Sequence, residues 1–351
     1  MGITSGGNAG AGGKAGAGGS AGSEAGAGAG GVGGCEDEET RCSGNIVQEC
    51  ADGEWQDRRL CENFCRHGEC ENPPSCEGSL TCAGSVSCCR ALEVPGGTFL
   101  RDYDGKTYED STHPATVSGF LLDRFEVTVS RMRNFVNAYP ELDLEPGEGK
   151  AEHISEDEGW KESYALPASQ DELIAALQCP DATFDTGITA GNQLRAVNCV
   201  TFPIAYAFCI WDGGRLPTEA EWNLAAAGGS EQREFPWQAP LEEEPPTPTY
   251  AYFDQFDGLP TAVGSTSPAG DGRWGHADLA GNVFEWTLDT FSASYPDECV
   301  NCLSTTTTGE RALRGGSYLN YSDGMAVAAR WPVQAAVATS FTGFRCVHDI
   351  Q

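Results

Sequence analysis

Ten of the chain's sixteen cysteines crowd into residues 35–89: Cys35, Cys42, Cys50, Cys61, Cys65, Cys70, Cys76, Cys82, Cys88 and Cys89. A segment this short cannot build a large core, so cross-links must supply much of its stability. Sixteen thiols would be hazardous in a reducing cytosol unless they held metal, and their spacing does not pair Cys with His as zinc sites do. Disulfides, and a compartment outside the cytoplasm, follow. Within the segment, Arg41-Cys42-Ser43-Gly44-Asn45, then Gln48-Glu49-Cys50 and Gly53-Glu54-Trp55, suggest short strands joined by glycine turns. A small binding or spacer module and a disulfide-stapled stalk without ligand are equally good readings.

The rest of the 351 residues divides around this segment. Residues 1–34 are nearly all Gly, Ala and Ser. They cannot bury enough apolar surface to offset chain entropy and read as a disordered tether. Residues 35–90 form the cysteine-rich module, and residues 91–351 are long enough for one large domain. No apolar run reaches the length of a membrane span, and the stretch after Met1 lacks the apolar core of a signal peptide. Export is therefore inferred from the cysteines, with no signal sequence visible. A Gly/Ala/Ser tether before a cysteine-rich module is the layout of a surface-anchored bacterial lipoprotein, which places the chain extracellularly or on the outer cell envelope.

Charge narrows the partners. Acidic residues outnumber basic ones 52 to 21, a formal net charge of -31. Such a surface repels phosphate backbones and anionic membranes, which leaves nucleic acid out. It is compatible with calcium, a hard cation that takes oxygen ligands, although most of these side chains need only be solvated.

Beyond Val94 the texture alternates apolar and polar residues between turns. Phe120 to Val127 reads as a strand, after which Thr128 can cap a helix with Met132, Phe135 and Val136 on one face. Residues 141–175 are acidic and turn-rich, a surface excursion. Pro203 to Trp211 forms an apolar helix with Pro at its start and Gly213-Gly214 past its end. In Arg215-Leu216-Pro217-Thr218-Glu219-Ala220-Glu221-Trp222, Thr218 and Glu221 stand in the capping-box relation, and Trp222, Leu224 and Ala225 continue the helix inward. Past that helix, Gly, Pro and aromatic residues dominate and little regular structure is expected.

Four blocks carry a resemblance across about 250 residues. They are Gly96-Gly97-Thr98-Phe99 with Asp123 to Thr128; Arg215 to Trp222; Gly281-Asn282-Val283-Phe284-Glu285-Trp286; and Arg314-Gly315-Gly316-Ser317-Tyr318 with Gly343-Phe344-Arg345-Cys346. In order and spacing they resemble the formylglycine-generating enzyme (sulfatase-modifying factor) family. The resemblance implies an irregular α+β fold, C-type-lectin-like in part, with low regular secondary structure and bound calcium. It also implies oxidation of a substrate cysteine to formylglycine, with copper held by two thiolates. At the positions matching those two cysteines stand Asn320 and Met325. An amide cannot serve as thiolate, and one thioether cannot make a copper pair, so copper is not expected. Ser317 matches a family active-site serine, and Phe284 stands where a tryptophan lines the pocket.

The same resemblance implies a calcium ion on Asp278 and Glu285 side chains with the carbonyls of Gly281 and Val283; otherwise the two carboxylates cap turns without metal. A second family calcium site is left unassigned, because Tyr252 falls where an asparagine ligand belongs, with Asp254 and Asp257 nearby. Cys209 and Cys346 match family cysteines engaged in disulfides, and the pairing taken is Cys179 with Cys199 and Cys209 with Cys346. Cys299-Val300-Asn301-Cys302 has the spacing of a redox or metal-binding dithiol, but in an oxidising compartment a local structural bridge is the reading taken.

The histidines, His67, His113, His153, His276 and His348, are scattered, so no iron centre is encoded, which separates the chain from ergothioneine-type sulfoxide synthases of the same fold. No phosphate loop or nucleophile elbow appears. Three functions remain: a binding or structural module without oxidase chemistry, taken as the main expectation; an active sulfatase-modifying enzyme; and a calcium-dependent glycan binder using Trp237, Trp274 or Trp331 as stacking platforms, each of which also suits a core. The partner is an unnamed protein or glycan.

Overall fold

Two of the three longer helices start where a side chain accepts from a free amide, and the third starts on proline. In a computed structural model that describes residues 35–78, 80–187, 191–238, 245–295, 298–305 and 309–350, helix α1 (Val129–Ala138) begins with the Thr128 side chain accepting from the Arg131 amide. It buries Met132, Phe135 and Val136, and Phe135 meets Phe208 edge-on at 5.5 Å between centroids. Helix α2 (Gln170–Ala176) is a short surface helix capped by Ser169; it closes the acidic excursion, which otherwise runs through turns. Helix α3 (Phe202–Trp211) has Pro in its first turn and is buried from Phe202 to Cys209, so it threads the core rather than lying on it. Helix α4 (Glu219–Ala227) opens with the reciprocal cap of Thr218 and Glu221 and ends on left-handed Gly228.

The strands are short and fall into small sheets. The largest has the order Trp331–Gln334, Glu310–Arg314, Phe284–Thr290, Thr342–Gly343, with the last pairing parallel. A three-stranded antiparallel sheet joins Val347–Asp349, Phe120–Asp123 and Ala91–Val94. The fold is thus mixed α+β with little regular secondary structure. One expected element is shorter than its apolar run: the strand from Phe120 stops at Asp123, not Val127. Past that point the Asp123 and Arg124 carbonyls accept from the Arg345 guanidinium instead of a neighbouring strand. The tail of the chain is also more ordered than its composition suggests, because the largest sheet is built entirely from residues after 283.

In the N-terminal module, Thr40–Ser43, Ile46–Ala51 and Glu54–Leu60 form an antiparallel sheet. Five disulfides staple it: Cys35–Cys50, Cys42–Cys65, Cys61–Cys70, Cys76–Cys89 and Cys82–Cys88. It is fastened to the domain by a buried polar knot. Ser75 donates its amide and hydroxyl to Asp212 at 2.8 and 2.9 Å, and Arg131 bridges Asp212 and Asp123 at 2.7 and 2.8 Å. Cys82 and Cys88 share an apolar cluster with Phe125, Ala196 and Val283, so the domain's core reaches back into the module. The expected tether, residues 1–34, lies outside the described residues. No helix among the described residues is long and apolar enough to cross a membrane.

Candidate functional site

The strand Glu310–Arg314 runs into two glycines in left-handed backbone, Gly315 at φ 92° and Gly316 at φ 70°. A β-carbon on Gly316 would collide with Met325 Cε and with the Gly324 carbonyl, so only glycine lets the chain double back here. The turn gathers Ser317, Asn320 and Met325 on one loop, closed by the 3-10 turn Ser322–Met325. Ser317 donates to Asn320 Oδ1 from its hydroxyl at 2.8 Å and from its amide at 3.0 Å. The Asn320 oxygen is therefore engaged in holding the loop. Met325 is fully buried among Phe235, Trp237, Ala251, Ala280 and Ala326. Phe284, on the adjoining strand, lies under Trp331, ring planes 15° apart at 6.0 Å.

Behind this loop stands a buried group of carboxylates. Glu285 accepts from Arg345 on both oxygens, at 2.7 and 2.8 Å, and from Trp222 Nε1 at 2.8 Å. Asp278 accepts from the Gly264 amide at 2.5 Å. Glu126 accepts from Asn282 Nδ2 at 2.5 Å and the Val283 amide at 3.2 Å, which holds the turn from Gly281 to Val283 in place. Burial pushes Glu126 well above the usual carboxylate range, with Asp278 and Glu285 adding repulsion. Burial likewise pushes Asp278 up to about 6. Arg345 pairs with Glu285, while Asp278 accepts the Gly264 amide and keeps lone pairs for a further partner. In donor chemistry the Asp278 and Glu285 carboxylates and the Gly281 and Val283 carbonyls fit a calcium ion, which takes oxygen ligands. Sequence reading missed Glu126 as part of this group; a carboxylate between the apolar Phe125 and Val127 was the available signal.

Two further buried networks flank helix α4. Arg314 donates to Glu219, Asp102 and the Tyr295 hydroxyl at 3.0, 2.7 and 2.7 Å, and Arg330 adds two bonds to Glu219 at 2.7 and 2.6 Å. Asp289 caps the start of α4 by accepting from the Glu219 amide at 2.6 Å; burial, then Glu219, push it up to about 7. On the other side, Arg215 grips Glu221 at 2.6 and 2.7 Å and Asp349 at 2.7 Å. Burial would raise Glu221, but Arg215 overrides it and holds the carboxyl at about 2. His153 approaches the same carboxylate at 3.9 Å, making His153, Glu221 and Asp349 the one triple of metal-capable side chains among the described residues. A scattered histidine thus gains acidic neighbours that spacing did not show. The Arg215 cation already lies on two of the three, so the cluster is an ion-pair knot.

All sixteen cysteines are paired and none is free. In the domain the bridges are Cys179–Cys199, Cys209–Cys346 and Cys299–Cys302. Of the aromatic platforms, Trp237 is buried in a stack between Phe235 and Tyr250, and Trp274 is partly buried beneath the Arg273 guanidinium. Trp331 alone of the three is substantially open, at 47% exposure. Tyr252 packs its backbone against Gly281, and Asp254 donates its amide to the Asn320 carbonyl.

Comparison with known proteins places these features among relatives. The family model described as a sulfatase-modifying factor enzyme 1-like domain matches residues 82–350. Over 281 residues the chain is 30% identical to the Mus musculus protein named inactive C-alpha-formylglycine-generating enzyme 2, covering 73% of this chain and 84% of that one. It is 31% identical over 288 residues to the formylglycine-generating enzyme of Streptomyces coelicolor, covering 74% and 88%. Among solved structures, PvdO from Pseudomonas aeruginosa aligns with a TM-score of 0.52 at 18% identity, over 80% of this chain and all of that one. That last likeness is one of fold.

Proposed function

Because the chain belongs to the sulfatase-modifying factor family, we propose that it is an exported member in which the fold serves as a binding or structural module without copper–thiolate oxidase chemistry. One feature carries this reading: Asn320 and Met325 stand where the resemblance places the family's two cysteines, and no cysteine of the chain is free to replace them. Cu(I) prefers soft thiolates, whereas the loop offers an amide whose oxygen already caps Ser317 and a thioether enclosed in an apolar cluster. What persists is the scaffold that shapes the loop: Gly315, Gly316, Ser317, Trp222 and the Glu285–Arg345 pair.

Calcium would be held by the Asp278 and Glu285 side chains with the Gly281 and Val283 carbonyls. Its charge would offset the buried carboxylates and stiffen the turn that positions Phe284. The reading of an exported protein is supported by eight disulfides, which form and persist outside reducing compartments.

The test is incubation of the protein with copper, oxygen and a cysteine-containing sulfatase peptide. No aldehyde product is expected by mass spectrometry; conversion of the cysteine would establish the alternative, an active sulfatase-modifying enzyme. A second reading, calcium-dependent glycan binding, is favoured by Trp331, whose exposed ring is braced from beneath by Phe284. A glycan array with and without chelator separates it from a protein-binding role.

A further inference from the structure

We propose that the Cys299–Cys302 bridge is a thiol–disulfide exchange site that oxidises a dithiol on a partner polypeptide, independently of the loop carrying Asn320. The bridge spans 3 residues, whereas the other seven span 6 to 137. Stabilisation by a cross-link grows with the loop it closes, so this bridge constrains the unfolded chain least.

Its loop is also held without the sulfurs. Thr116 donates its amide to the Cys299 carbonyl at 2.8 Å, and the Asn301 amide returns to the Thr116 carbonyl at 2.9 Å. The Asn301 side chain accepts from the Ser118 amide at 2.7 Å and donates to the Ser118 hydroxyl at 2.9 Å. These four bonds keep both sulfurs apposed when the covalent link opens. A bridge whose cleavage leaves the backbone in place is able to cycle.

The two sulfurs are not equivalent. Cys299 is buried at 5% exposure, Cys302 is half-buried, and Val300 between them is 73% exposed. Cys302 Sγ lies 3.8 Å from an Arg101 guanidinium nitrogen, and that guanidinium also rests 4.3 Å over the Tyr295 ring. A fixed positive charge beside a sulfur favours its thiolate and makes it the better leaving group. Cys302 is therefore both the sulfur that a partner reaches and the one released last.

In the exchange, a partner thiolate attacks Cys302 Sγ, the S–S bond breaks, and Cys299 leaves as thiolate and takes a proton. The partner's second thiol then attacks its own sulfur in the mixed disulfide, expelling the Cys302 thiolate beside Arg101. Two electrons pass from the partner dithiol to the pair, with one proton, which the partner's second thiol gives up and Cys299 takes. One new disulfide forms in the partner for each one opened here.

The experiment uses the full, native chain, a reduced two-cysteine peptide as probe, and thiol alkylation with peptide mapping. Cys299 and Cys302 are expected to label first and in proportion to peptide disulfide formed. The other fourteen cysteines should stay bridged and circular dichroism unchanged. Arg101→Gln should slow the exchange about tenfold, and Cys299→Ser, given oxidised glutathione, should form a Cys302–glutathione disulfide and release one glutathione thiolate. Labelling no earlier than at the remaining bridges, loss of native circular dichroism on opening, or an exchange rate indifferent to Arg101 overturns the proposal. The wild-type labelling order decides the matter even where a variant folds poorly.

Discussion

Arg345 shows how one residue can carry a site while looking ordinary in sequence. Its guanidinium satisfies Glu285 on both oxygens and the carbonyls of Asp123, Arg124 and Ala277. Truncation to alanine strips the fully buried Glu285 of its countercharge and removes a donor from three carbonyls, so Arg345→Ala is expected to lower unfolding free energy by about 3–5 kcal/mol. Urea denaturation of the folded fraction measures it. The Gly-Phe-Arg-Cys run was legible as a motif, yet the arginine's partners lie at sequence distances of 60 residues and more, and spacing cannot show that. Asn320 and Met325 were legible in the opposite sense: their chemistry is evident from residue type alone. That Asn320 would cap Ser317 was not, because it depends on the left-handed turn at Gly315 and Gly316.

The helices were the most readable elements, since caps act locally. Thr128, Thr218 and Glu221 do their work within a turn of the residue they cap. The strand from Phe120 was overextended because its apolar run continues into core positions that are not paired in a sheet; Phe125 and Val127 are buried all the same. Helix α4 carries a pH-dependent contribution. Glu221, held at about 2 by Arg215 against an ordinary value near 4.5, binds protons less readily folded than unfolded. Its stabilisation is present above pH 4.5 and is lost as pH falls toward 2. Glu221→Gln should therefore be less stable than wild type at pH 7, and the gap between their denaturation midpoints should close progressively below pH 4.5. A gap constant from pH 7 to pH 2.5 would show that the carboxylate charge is not what fixes this helix.

At the scale of the molecule, the disulfide-rich stretch was legible from cysteine count and the irregular α+β fold from the resemblance carried by the four motif blocks, but the contacts that fasten the two were not. Ser75, Asp212, Arg131 and Asp123 come from four separate stretches and meet only in the fold. The same holds for the buried carboxyl groups of Asp278, Glu126 and Glu285, from which a whole-molecule consequence follows. If calcium occupies this group, chelation should lower the thermal midpoint by several degrees and added calcium should restore it, as binding to the native state alone requires. Asp278→Ala should abolish the calcium response; an unchanged midpoint in chelator would assign the carboxylates a purely structural role.

The proposed loss of oxidase chemistry rests on the donors at Asn320 and Met325, and a Cu(I) titration of the intact protein in ascorbate, followed by native mass spectrometry, addresses it most directly. The wild type is expected to bind no stoichiometric Cu(I), while the Asn320→Cys, Met325→Cys double substitution gains one tightly held ion. One Cu(I) bound tightly by the wild-type chain would contradict the account.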